Sequence, residues 1–204
     1  MLLAIDTSTG TSVAVVDRAG VRAVRTSADT RGHAEMIGAF IRDALAEACV
    51  APAELEGVAV GMGPGPFTGL RVGIAAARTF ALGIGAPLLP IVSHDAVAFG
   101  ETDAVLVVTD ARRRELAWSA YQAPASAGLP RRVAGPALAL ATELPQTVTG
   151  YEGYRRIDAA TVDAGALGRL ALALLDAGAP LGPPEPVYLR APDVTLSTPK
   201  RVTA

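Results

Sequence analysis

Asp6 opens "DTSTGTS", a stretch through Ser12 in which five of the seven residues carry hydroxyls. The hydroxyls and backbone N–H groups of such a turn can hold a phosphate, and a carboxylate at its start can hold Mg²⁺ through water. The same residue types are ordinary turn formers. On spacing alone that plainer reading comes first, and Asp6, Thr7 and Ser8 stand as candidates for a degenerate phosphate site. A second cradle is "GPGPF", Gly63 to Phe67. Its prolines fix φ and its glycines let the backbone bend. A helix beginning directly after it offers free N–H groups to an anion. The loop lacks the Lys-Ser/Thr pair of a P-loop and the GxGxxG pattern, so it reads first as a stiff connection that aims the helix.

Metal and thiol chemistry have less to work with. The two histidines are His33 and His94, and the residues four positions on are Ile37 and Ala98. Neither pair forms the two-histidine helical turn of a metal site, and Glu35 and Asp95 do not complete a constellation. The single cysteine, Cys49, cannot close an internal disulfide and points to a reducing compartment. Its apolar surroundings predict a small buried hydrophobe. Arg112, Arg113 and Arg114 form a basic hairpin tip, by default a solvated turn. Contact with RNA or with a partner's acidic patch is its alternative use.

The elements that position these groups follow from periodicity. "LLAID", "TSVAVVD" and "VRAVRTS" read as three short strands in consecutive hairpins. "HAEMIGAFIRDALAEACV" places Met36, Ile37, Phe40, Ile41, Ala44, Leu45 and Ala48 at helical spacing. "GVAVGMG" is an apolar run suited to a strand buried on both faces. A helix is predicted from Phe67 to Leu82, then a strand in "APLLPIV", then a short helix in "SHDAVAFG" with Ser93 as N-cap. The resulting order, β-β-β-α-β-α-β-α, is that of a ribonuclease-H-like half. Beyond Gly100–Thr102, "AVLVVTDA" and "ELAWSAYQ" read as strands and "APASAGLP" as a loop. "RRVAGPALALATELPQTVTG" is ambiguous, "ALGRLALALLDAGA" is a helix, and a Pro-rich tail follows.

The helix after the GPGP loop has four polar side chains, Thr68, Arg71, Arg78 and Thr79, between Phe67 and Leu82. Gly69, Gly73 and Ala77 recur every four residues and make a flat strip that another backbone can approach. Such a helix is buried in its own fold or against another molecule. The chain's 204 residues suit one large domain or two small ones. Half are hydrophobic and only 4 % aromatic, the Ala/Val/Leu/Ile composition of α/β layers. A net charge of −2 does not favour a chain that grips nucleic acid unaided. The N-terminal apolar run is too short for a signal peptide and no uncharged run spans a bilayer. The expectation is a cytoplasmic chain with no membrane contact.

"LLAIDTST…SVAVVD", "GMGPGPFTGLRVGIAAARTFA", "DARRRELAWSAY" and "PVYLRAPDV" together resemble the bacterial TsaB family, also called YeaZ, along nearly the whole chain. The FTGLR segment is the most specific part. The resemblance implies an α/β, actin/Hsp70-like (ASKHA) fold of two ribonuclease-H-like lobes, the second abbreviated. Residues 1–100 would form the first lobe, and 101–204 the smaller second lobe with the Pro-rich tail. It implies a non-catalytic subunit required for threonylcarbamoyl transfer to the adenosine next to the anticodon of tRNAs reading ANN codons.

In that family the catalytic, metal-binding paralogue is TsaD, the ATPase TsaE joins the pair, and TsaB also forms homodimers through the same helices. The tRNA is reached only through the complex. Carried over, partner contact falls on Met36, Ile37, Phe40 and Ile41 of the first helix and on Leu70, Ile74, Ala77 and Ala81 of the second. Glu in place of Ile74 should then block association and spare the fold. No catalytic or metal residue carries over, because the TsaD His-x-x-x-His pair corresponds here to His94 and Ala98. ATP or ADP is expected only at a subunit boundary, since "DAR" replaces the glycine-rich acidic turn of a nucleotide clamp. The alternatives are a stand-alone ATP-dependent phosphotransferase using the Asp6–Ser12 turn, or a metallopeptidase of the same superfamily.

Overall fold

The computed structural model describes residues 1–124 and 128–190. The middle of the "APASAGLP" loop, the end of "PVYLRAPDV" and the rest of the tail lie outside the described residues. The chain opens with an antiparallel meander of β1 (Leu2–Asp6), β2 (Thr11–Asp17) and β3 (Gly20–Ser27). There follow α1 (His33–Ala48), β4 (Gly57–Gly61), α2 (Phe67–Ile84), β5 (Leu88–Ile91) and α3 (Ser93–Ala98). The five strands form one sheet in the order β3-β2-β1-β4-β5, with β4 parallel to β1 and β5 parallel to β4.

A second sheet is built from β6 (Val105–Asp110), β7 (Glu115–Gln122), β8 (Arg131–Leu140) and β9 (Arg155–Asp158). Its order is β8-β7-β6-β9, with β9 parallel to β6. A single turn, α4 (Leu144–Thr147), sits between β8 and β9, and α5 (Ala164–Asp176) closes the series. The ambiguous segment after Pro130 thus resolves into β8 and α4. β9 was not anticipated, because "RRID" is short, charged and mostly exposed.

The central strands are apolar on both faces because the first sheet is covered on both faces. Leu3, Ile5, Val13, Val15, Val58 and Val60 pack under α1 and α2. On the opposite face Leu2, Ala4, Ala14 and Val16 meet Leu167, Leu170 and Ala171 of α5. Each fully buried leucine there contributes about 1.5–3 kcal/mol. Gly168 lets α5 approach this closely, since a Cβ at that position would lie 2.6 Å from Val16 Cγ2. Of residues 101–190, α5 therefore packs on the first sheet rather than on the second, apart from the expected division at residue 100. The second sheet ends at β9, and the chain returns in α5 to cover the bare face of the first.

Two local expectations change. Ser93 is the first residue of α3 rather than its N-cap, and its hydroxyl turns to Asp6. Cys49 is exposed, not buried, because it ends α1 in the left-handed conformation (φ 54°) that turns the chain away. α2 runs two residues past the predicted end, to a left-handed Gly85. By length and composition α2 could cross a bilayer, but its Leu70, Ile74, Ala77 and Ala81 belong to the core of the first lobe.

The lobes join where α3 meets the second sheet. His94 is fully buried, with Nδ1 2.9 Å from Ser119 Oγ of β7 and Nε2 2.9 Å from Thr109 Oγ1 of β6. Beside it Tyr121 donates to Asp95 Oδ1 at 2.7 Å, and Arg132 of β8 lies 3.6 Å from the same oxygen. Burial pushes the His94 imidazole down to about 3. In the unfolded chain it titrates near 6.5. Below that pH the unfolded state takes up a proton that the folded state refuses, so His94 removes stability as pH falls from about 6.5 toward about 3. The stability deficit of His94→Gln should accordingly shrink by about 2 kcal/mol between about pH 7.5 and pH 5. Urea unfolding of both proteins at the two pH values measures it, and a constant deficit would contradict the neutral buried imidazole.

Candidate functional site

The hydroxyl-rich turn between β1 and β2 sits against the start of α2, and its side chains point into the chain. Asp6 is buried at the last position of β1. Its Oδ1 accepts the Ser8 N–H at 2.8 Å and the Ser8 hydroxyl at 2.6 Å, while Oδ2 accepts the Ser93 hydroxyl at 2.6 Å. Ser93 in turn accepts the Gly63 N–H at 3.0 Å and donates its own N–H to Gly63 O at 2.8 Å. Burial pushes the Asp6 carboxyl up, against the opposing pull of the Ser8 and Ser93 bonds. One carboxylate thus ties the ends of β1, the GPGP loop and α3 together.

Thr7 reaches further. Its hydroxyl donates to Gly69 O at 2.7 Å and accepts the Gly73 N–H at 3.2 Å. Those two groups are one carbonyl–amide pair of the α-helical ladder, four residues apart. A Cβ at Gly73 would lie 2.2 Å from Thr7 Oγ1, and one at Gly69 would lie 2.8 Å from Thr7 O. A Cβ at Gly65 would meet Ser8 O at 2.5 Å. The flat strip on α2 is therefore filled by this chain's own β1–β2 turn. His33, at the start of α1, sits over the same point, with Nδ1 2.8 Å from Thr11 Oγ1. Its imidazole is pushed down chiefly by burial.

This arrangement bears on Asp6, Thr7 and Ser8, the candidates for a degenerate phosphate site. The side chains of all three are engaged inside the fold. His94 likewise has both ring nitrogens on hydroxyls, so the one lone pair of its neutral imidazole accepts a hydrogen bond instead of facing a metal. Among the described residues no group of three or more His, Cys, Asp or Glu is placed to hold a metal ion.

The eight residues expected to meet a partner divide sharply. Ile37, Leu70, Ile74, Ala77 and Ala81 are buried in the core of the first lobe. They are corrected to structural residues, because the inner faces of α1, with Ile37, and of α2, with the other four, must cover the sheet. Met36, Phe40 and Ile41 are half-buried along α1. The outward face of α2 consists instead of Arg71, Ala75, Arg78, Thr79 and Leu82. Leu82 is 83 % exposed. Helical periodicity showed that α2 had two faces, but the choice between them depended on where Thr7 and His33 lie.

A groove of about 490 Å³ runs along that outer face, between Arg71, Ala75 and Arg78 on one bank and Glu185, Pro186 and Tyr188 on the other. Arg71 stacks over the Phe67 ring at 4.0 Å, and Phe67 meets Tyr188 at 4.9 Å between ring centres. Two cations above an apolar floor form a surface suited to another protein.

Comparison with known proteins agrees with this architecture. The family model of TsaD, tRNA N6-adenosine threonylcarbamoyltransferase, matches residues 23–146. An uncharacterized protein of Mycobacterium leprae is 40% identical over 149 residues, covering 71% of this chain and 40% of that protein. The tRNA threonylcarbamoyladenosine biosynthesis protein TsaB of Escherichia coli is 31% identical over 126 residues, covering 59% of this chain and 54% of that one. The chain thus spans about half the length of these curated relatives. A crystal structure from Pseudomonas aeruginosa, described as an uncharacterized protein with similarity to peptidase YeaZ, superposes with a TM-score of 0.74 at 28% identity. It covers 93% of this chain and 99% of that one. The fold is the two-lobed α/β, actin/Hsp70-like architecture, with two mixed sheets.

The contact between Thr7 and α2 makes a clear prediction. Gly73→Ala should destabilise the chain by about 1–3 kcal/mol through overpacking. Thr7→Ala removes the Oγ1 and Cγ2 atoms that a Cβ at Gly73 would meet at 2.2 and 2.9 Å. In a double-mutant cycle by urea unfolding, Gly73→Ala should therefore cost far less in the Thr7→Ala background. Additive effects would mean that the two residues do not share one contact.

Proposed function

Given that the chain belongs to the tRNA N6-adenosine threonylcarbamoyltransferase (TsaD) family, in its TsaB/YeaZ branch, we propose that it is a non-catalytic partner subunit of the transferase. In this reading it dimerises with a TsaD-type catalytic paralogue. It is required for threonylcarbamoyl transfer to the adenosine next to the anticodon of tRNAs reading ANN codons. A TsaE-type ATPase joins the pair, tRNA is met only through the complex, and the isolated chain pairs with a second copy through the same helices. ATP or ADP is held at the subunit boundary, and the assembly works in the cytoplasm.

The observation that carries this reading is the two-sidedness of α2. Its inner face is sealed by the chain's own turn and sheet, while its outer face presents Arg71, Ala75, Arg78 and the exposed Leu82 beside half-buried Met36, Phe40 and Ile41 of α1. Exposed leucine flanked by arginine is the composition of an interface core with a charged margin. The groups that would serve a stand-alone phosphotransferase or metallopeptidase, Asp6 and His94, are engaged in internal hydrogen bonds.

The test is co-expression with the TsaD-type paralogue, followed by size-exclusion chromatography with mass detection. Ala75→Glu combined with Leu82→Glu should leave the thermal unfolding of the isolated chain within a few degrees of the parent and abolish the heterodimer peak. Ile74→Glu, by contrast, should unfold the chain, because Ile74 is 4% exposed and a buried unpaired carboxylate is strongly destabilising. A folded Ala75→Glu/Leu82→Glu variant that still elutes as heterodimer would place the docking face elsewhere.

A further inference from the structure

The segment that follows α5 does more than end the chain. From Gly182 to Arg190 it runs from one lobe to the other, and its contacts change sides as it goes. Gly182 donates its N–H to Pro90 O at 2.8 Å, at β5. Pro184 O accepts Arg78 of α2 at 3.0 Å, and Val187 donates to Met62 O at 2.7 Å, just past β4. Tyr188 packs on Phe67. These contacts all belong to the first lobe. Arg190 then crosses to the hairpin between β6 and β7, donating to Ala111 O at 3.2 Å and pairing with Glu115.

The hairpin that receives Arg190 is strained. Arg112, Arg113 and Arg114 have φ of 63°, 56° and 65°, three consecutive non-glycine residues in the left-handed region. Each such residue costs on the order of 1 kcal/mol. Arg190 also reaches Arg112 O at 3.5 Å, so it holds two carbonyls of the strained turn as well as the acid at its base. Arg112 also acts on His33, pushing its imidazole down by less than burial does and against the larger upward pull of Asp29. The α3 junction lies elsewhere, at the His94 contacts with β6 and β7. The lobes are thus joined at one place by a buried polar hinge and at another by a half-exposed ion pair on a strap.

We propose that residues Gly182–Arg190 are a latch: the Arg190–Glu115 clasp holds the two lobes closed about the α3 hinge, and its release frees the β6–β7 hairpin from the first lobe. A half-exposed clasp is the weaker of the two connections, so it is the one that opens first. The latch does not depend on which partner meets α2. Because Glu185, Pro186 and Tyr188 form one bank of the groove, its state also sets the shape offered to anything docking there.

Hydrogen exchange of the full chain, followed by mass spectrometry, tests it. Glu115→Ala and Arg190→Ala should each speed exchange about ten-fold in peptides covering 182–190. A peptide covering 110–114, in the β6–β7 hairpin, should accelerate with them, while α5 and β1 keep the parental rate. The double variant should exchange no faster than either single one. Val187→Pro, which removes the bond to Met62 O nearer the first lobe, should accelerate the same hairpin peptide. The latch is overturned if acceleration stays within 186–190, or if it spreads to α5 and β1 as a general loss of stability.

Discussion

A single hydroxyl fixes the geometry on which the rest depends. The Thr7 hydroxyl bonds both the Gly69 carbonyl and the Gly73 N–H of α2. That contact sets the rotation of α2 about its axis. Once Gly69 and Gly73 face the β1–β2 turn, Leu70, Ile74, Ala77 and Ala81 must face the sheet, and Arg71, Ala75, Arg78 and Leu82 must face out. The glycines are explained by this approach alone, since any Cβ at position 73 would collide with Thr7. Helix identity, inner core and outer surface follow from one buried bond between the first turn of the chain and its longest helix.

The residues with the strongest chemical signature do structural work for a related reason. A buried carboxylate is costly unless its lone pairs are occupied. Asp6 lies at the centre of the first sheet's C-terminal edge, where leaving it unpaired would destabilise the lobe. Ser8 and Ser93 supply the donors, and Ser93 passes the constraint on to Gly63. His94 follows the same logic at the lobe junction. Two hydroxyls occupy its nitrogens and burial keeps it neutral. Residue types that read as catalytic candidates in sequence are here the joints that place one element against another.

This also explains what was legible in the sequence. The first lobe could be read almost entirely, because its strands are continuous apolar runs and its helices have clear periodicity; the parallel β1-β4-β5 core needs no information beyond that. The second lobe was harder. β9 has three charged residues in four, so pattern alone hides a strand paired on one edge. The position of α5 could not be read, since an amphipathic helix states that it needs a sheet but not which one. The site was legible as a set of segments but not as a set of facing residues. Gly69, Gly73 and Ala77 correctly marked a close backbone approach, yet nothing local said that the visitor was Thr7 rather than a second molecule. Cys49 misled for a simpler reason: its apolar neighbours predicted burial, while the left-handed turn that ends α1 put it outside.

The two connections between the lobes differ in kind, and that difference bears on where the surface can change. The α3 junction is buried and uses neutral groups at His94, whose imidazole stays uncharged in the fold under modest acidity. The strap is half-exposed, is tied by charge at Arg190 and Glu115, and ends on a turn of three left-handed arginines. Screening weakens such a pair far more than it weakens buried neutral hydrogen bonds. Any opening therefore concentrates at the strap, and the strap forms one wall of the α2 groove. The outer face of α2 is rigid along the helix, where Thr7 holds it, and adjustable along its margin, where Tyr188 and Glu185 lie. A surface with one fixed wall and one movable wall can keep its register while altering its width, a property that follows from the placement of two joints rather than from any residue in the groove itself.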